Sequence, residues 1–64
     1  MELKECIVGR PVVRKGVPYS NPLPDDIGHI VRFTKNTHYE IVVVVLLASG
    51  DEVIFHPNNL ESLV

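Results

Sequence analysis

The sequence predicts an all-β domain, and three observations carry that reading. Eight consecutive apolar residues, Ile41-Val42-Val43-Val44-Val45-Leu46-Leu47-Ala48, include four valines in a row, and β-branched side chains lose rotamer freedom in a helix but pack well on a pleated surface. The run is closed by Ser49-Gly50-Asp51 and answered by Glu52-Val53-Ile54-Phe55-His56, the pattern of a β-hairpin, because glycine accepts a positive φ at no steric cost. No other stretch carries the pattern of a helix of ordinary length.

Taken in order, Arg10-Pro11-Val12-Val13-Arg14 predicts a first strand, which Pro11 restricts to a sheet edge or a strand start. Residues 15–26 contain Gly16, Pro18, Pro22 and Pro24 and predict a long loop. Ile27-Gly28-His29-Ile30-Val31-Arg32-Phe33-Thr34 alternates loosely and predicts a second strand, with a bend or bulge at Gly28. A turn at or near Asn36-Thr37 leads into the valine-rich third strand, and residues 52–56 form the fourth. Pro57-Asn58-Asn59-Leu60 predicts one tight helical turn before a short last strand, Glu61-Ser62-Leu63-Val64.

If Ser49-Gly50 is a two-residue loop, Leu46 faces Val53, Val45 faces Ile54 and Val44 faces Phe55. Alternation then assigns Val44, Leu46, Ala48, Val53 and Phe55 to the core. The opposite face carries Val43, Val45, Leu47 and Ile54, flanked by Glu52 and His56. That face would leave a contiguous apolar patch of the size that marks an interaction site.

With 64 residues the chain is expected to be a single domain, residues 1–64, and a domain this small buries only about 60% of the surface its unfolded chain exposes. The composition, 45% hydrophobic and 22% charged, is that of a folded protein. A net charge of −2, with the six basic residues scattered, gives no bulk attraction to nucleic acid. One cysteine, Cys6, permits no internal disulfide, so a reducing, cytoplasmic setting is expected. The start lacks the basic and long apolar segments of a signal peptide, and the run 41–48 is far short of a membrane-spanning helix.

The chemistry-bearing residues form no recognisable site. His29, His38 and His56 are separated by eight and seventeen residues, without the paired spacing of zinc ligands. Ser20, Ser49, Ser62 and Cys6 lie in no nucleophile elbow and beside no histidine, and neither phosphate-binding glycine pattern occurs. No enzyme activity, cofactor or metal is expected.

The succession of strand, long loop, strand, turn, strand, tight turn, strand, helical turn and strand resembles the SH3-like small β-barrel, with the patterning of KOW and Tudor modules and of photosystem I subunit IV. The residues that carry it are Val8-Gly9-Arg10-Pro11-Val12-Val13, Asp26-Ile27-Gly28-His29-Ile30-Val31, Tyr39 to Val44, and Pro57-Asn58-Asn59-Leu60-Glu61-Ser62-Leu63. The resemblance implies a five-stranded barrel with the proline loop between its first two strands and the helical turn before its last. It does not imply a polyproline groove, which needs several aromatics including a tryptophan, whereas this chain has Tyr19, Tyr39, Phe33 and Phe55 and no Trp.

The expected function is a non-catalytic protein-protein interaction module, an accessory subunit or small regulator or inhibitor. It would dock a protein partner or a second copy of itself through Val43, Val45, Leu47 and Ile54, together with Pro18, Tyr19 and Leu23 of the stiff proline loop. Tyr19 and Leu23 folding back as a lid on the core is the other reading of that loop. The competing class is a KOW-like nucleic-acid binder with Arg10, Arg14, Lys15 and Arg32 on phosphates.

Overall fold

The structure, a computed structural model, describes residues 1–18 and 21–63. Five strands, β1 (Pro11–Arg14), β2 (Ile27–Lys35), β3 (Ile41–Leu47), β4 (Glu52–Phe55) and β5 (Leu60–Ser62), form one antiparallel sheet in the order β4-β3-β2-β1-β5. A 3-10 turn at Pro57–Asn59 leads into β5 and another, Leu3–Glu5, precedes β1. Pro57 suits the first position of its turn because it has no N–H to leave unpaired, and the His56 Nδ1 accepts the Asn58 N–H at 3.2 Å.

The β3–β4 hairpin differs from the expected register by one residue. The Leu47 N–H donates to the Asp51 carbonyl at 2.8 Å and the Gly50 N–H to the Leu47 carbonyl at 2.9 Å, so the loop is three residues, Ala48-Ser49-Gly50. Gly50 holds the left-handed position, at φ 102°, as the third residue of such loops requires. The pairs are Val43 with Phe55, Val44 with Ile54, Val45 with Val53 and Leu46 with Glu52. One extra loop residue turns every β3 side chain over relative to β4.

Consequently Val43, Val45 and Leu47, assigned above to an exposed face, are core residues. They pack with Val12 of β1, Ile30 of β2, Phe55 of β4, Leu60 of β5 and Cys6. Each fully buried aliphatic side chain there contributes about 1.5–3 kcal/mol. Val42 and Val44, on the opposite face, are buried as well, so both sides of β3 are covered.

The sheet is curled without being closed. In a flat sheet β1 and β4 would lie about 14 Å apart, at about 4.8 Å per strand, with side chains standing perpendicular. The Arg14 guanidinium nevertheless sits 5.0 Å from the Phe55 ring centroid. Among the described residues no ladder joins β4 to β5, so the expected closed barrel is not formed. Both edge strands are short, and Pro57, just past β4, has no donor to extend one.

The N-terminal segment covers what the curl leaves open. Met1 and Cys6 pack against the core, and the Met1 amine donates to the Leu60 carbonyl at 3.0 Å. Of the residues expected to fold back as a lid, Leu23 is 62% exposed and does not cover the core, and Tyr19 lies outside the described residues; Pro18 is exposed.

Gly28 holds regular pairs with Leu47 and Val12, and the β2 bulge falls between Ile30 and Arg32 instead. The glycine is needed for close approach. A Cβ at position 28 would lie 2.3 Å from the Leu46 carbonyl oxygen and 2.9 Å from the Leu47 Cα, closer than any side-chain shift relieves.

Candidate docking surface

The face of the sheet opposite the core is built in rows, because register partners share a face. Pro11 pairs with His29, His29 with Leu46, and Leu46 with Glu52, which sets these four side chains across β1, β2, β3 and β4. In the next row Arg32 pairs with Val44, and Val44 with Ile54. The Arg32 guanidinium reaches across β3 to the Glu52 carboxylate at 2.7 Å, laying its aliphatic stem over the strand between them.

Where the end of β3 and the start of β2 meet Pro11 of β1 and Leu63 beyond β5, this face opens into an apolar groove of about 480 Å³. Pro11, Leu46, Ala48 and Leu63 line it, and among the described residues His29 is its one titratable wall residue. A second depression of about 300 Å³ adjoins it through the shared residues Gly9 and Pro11 and adds Ile7 and Arg10. The Leu63 N–H donates to the Pro11 carbonyl at 3.1 Å and the Gly9 N–H to the Ile30 carbonyl at 2.7 Å, so the walls are held by backbone bonds. Ile7 is 54% exposed at the rim.

Of the partner-binding residues expected from sequence, the structure leaves Ile54, Pro18 and Leu23 on the surface and buries Val43, Val45 and Leu47. It does not place Ile54 among the residues lining the groove, whereas Leu47, although buried, is one of them. Ile7, Pro11, Leu46 and Leu63, which line these two depressions, are not among the residues expected from sequence. Leu46 belongs to the groove because of the one-residue register shift, and Ile7 and Leu63 flank strands in segments without periodicity.

The four basic residues are spread over the fold. Arg14 lies 3.6 Å from the Asp26 carboxylate, donates to the Asp25 carbonyl at 3.3 Å, and covers Phe55. Arg32 is held by Glu52. Arg10 borders the smaller depression, and the Lys15 backbone N–H bonds the Asn59 carbonyl.

At the far end, Glu40 accepts from the Asn36 side-chain amide at 3.3 Å and lies 3.4 Å from His56 Nε2. The Asn36 bond, and secondarily His56, hold its carboxyl below the ordinary glutamate value. Burial pushes the Cys6 thiol above its usual value, which keeps it protonated and poorly nucleophilic. Among the described residues no group of three or more His, Cys, Asp or Glu is placed to hold a metal ion, and no helix is long and apolar enough to cross a membrane.

No known family, curated protein or solved structure matches the chain.

Proposed function

We propose that the protein is a non-catalytic interaction module of the SH3-like type, an accessory subunit or small regulator that docks a protein partner. The strand order β4-β3-β2-β1-β5, with a 3-10 turn entering β5, supports the fold reading. One observation carries the function: an open groove with largely apolar walls, rimmed by exposed Ile7, on a face whose next row is crossed by the Arg32–Glu52 ion pair. Apolar concavities held by backbone bonds bind without reordering, which favours affinity.

The test is capture of host proteins on immobilised protein, comparing wild type with Ile7→Lys and Leu63→Lys. The expected result is a protein retained by wild type and lost by both variants, with unchanged melting temperature for Ile7→Lys. Identical capture by all three defeats the groove. Binding of generic RNA or DNA that weakens steeply with salt would instead favour the nucleic-acid reading through Arg10, Arg14, Lys15 and Arg32.

A further inference from the structure

The two edges of the sheet are not treated alike. At β5 the N-terminal segment closes in, with the Met1 amine on the Leu60 carbonyl. At β4 nothing comparable arrives among the described residues. The Leu47–Asp51 bond sets the phase of the β3–β4 ladder, and in an antiparallel pair hydrogen-bonded rungs alternate with non-bonded ones. Val53 and Phe55 therefore exchange bonds with Val45 and Val43. The N–H and C=O groups of Glu52 and Ile54 point away from the sheet, and no hydrogen bond to them is found among the described residues. Above this bare edge Ile54 is 58% exposed.

We propose that β4 is the seam of a two-fold homodimer, pairing antiparallel with β4 of a second copy about an axis through Ile54. This deepens the interaction-module reading and rests on it, but uses a surface separate from the groove. An open edge strand is a template for another strand, and the register is chosen by the side chains. With Ile54 opposite the partner's Ile54, apolar meets apolar, and Glu52 lies opposite the partner's His56, an acceptor against an imidazole. Both belong to existing contacts, Glu52 with Arg32 and His56 with Glu40, so the seam sets a carboxylate against an imidazole rather than against another carboxylate. Centring the axis on Glu52 would set carboxylate against carboxylate, and centring it between the two would set Glu52 against the partner's Ile54. Only the Ile54-centred register avoids like charges and keeps the apolar pair.

The seam supplies the two bonds exchanged by the Ile54 pair and, on each side, the His56 N–H to the partner's Glu52 carbonyl. The His56 carbonyl is already taken by the Asn59 N–H at 2.9 Å. Such a short seam is weak, with a dissociation constant of roughly 10–1000 µM. A two-fold axis makes it self-limiting, closing at two copies.

The experiment is sedimentation equilibrium up to about 1 mM on wild type, Ile54→Pro and Ile54→Lys, with Ile7→Lys in parallel. Proline removes only an amide that faces away from β3, and lysine keeps the backbone while placing charge at the axis. Wild type and Ile7→Lys dimerise, while both Ile54 variants weaken the dimer at least about tenfold. Mixing isotope-labelled and unlabelled wild type gives intermolecular contacts between Ile54 side chains. A wild type that stays monomeric at the highest concentration overturns the proposal, as does a dimer insensitive to Ile54→Lys. A dimer lost in Ile7→Lys alone also overturns it, while leaving the groove standing.

Discussion

Two three-residue loops close the antiparallel pairs β2–β3 and β3–β4, and they solve one geometric problem with different residues. Between β3 and β4 the Leu47 N–H bonds the Asp51 carbonyl and the Gly50 N–H bonds the Leu47 carbonyl. Between β2 and β3 the Asn36 N–H bonds the Glu40 carbonyl at 3.0 Å and the Tyr39 N–H bonds the Asn36 carbonyl at 3.1 Å. The frames are the same, and the third loop residue is left-handed in both. At one it is Gly50; at the other it is Tyr39, at φ 61°. A bulky L-residue there costs about 1–2 kcal/mol. The offset comes from Asn36, whose Oδ1 accepts the His38 and Glu40 N–H groups at 2.9 and 3.0 Å and whose amide donates to Glu40. Leu47, in the equivalent place, offers nothing. One loop is therefore shaped by backbone freedom, the other by a side-chain scaffold that overrides a backbone preference.

The largest effect is expected from a residue outside both loops. Gly28→Ala drives a methyl into the Leu46 backbone and shifts the strand that the loops share, destabilising by about 3 kcal/mol or more, read as loss of a cooperative melt. Asn36→Ala removes the scaffold and should cost about 2 kcal/mol by denaturant titration. The matching change in the other loop, Leu47→Ala, would report core loss rather than loop geometry. Gly50→Ala should cost about 1 kcal/mol. Tyr39→Gly should run the opposite way, stabilising by about 0.5–1 kcal/mol less the entropy glycine adds to the unfolded chain. If Tyr39→Gly destabilises as much as Gly50→Ala, the scaffold fully absorbs the strain and the two loops are not alternatives.

The smallest effect is in acid. Glu40 has a lowered folded-state pKa, chiefly from the Asn36 bond and then from His56. Its contribution is present above the unfolded glutamate value, about 4.3, and is lost as pH falls through the folded value. Melting temperatures measured from about pH 5 downward should fall less steeply for Glu40→Gln than for wild type. Equal slopes would show that the scaffold needs no carboxylate.

Element identity was legible because its causes are local: consecutive valines for β3, proline density for the long loop, Pro57 for the closing turn. The β3–β4 register was not, for two reasons. Ser49-Gly50 suits a two-residue loop and also fits the last two places of a three-residue one. Alternation could not arbitrate, since Ile41–Leu47 is apolar at every position and reads identically from either face. The groove was hidden with it, because Leu46 reaches that face only in the true register. The left-handed Tyr39 was hidden because no property of tyrosine announces it; the marker is Asn36, three residues earlier. Cys6 carries no periodic pattern, and its burial depends on where the N-terminal segment lies.

The interior position of β3, flanked by β2 on one side and the edge strand β4 on the other, also decides how the protein would be lost. Ile41–Leu47 is seven residues of high strand propensity with no charge, proline or glycine, a composition that stacks into cross-β fibrils when exposed. The four residues of β4 shield one of its two hydrogen-bonding edges. Fraying of that short strand uncovers the aggregation-prone segment before the rest of the sheet has opened, so colloidal lifetime in storage or at high expression is governed by local opening at β4 rather than by the midpoint of global unfolding.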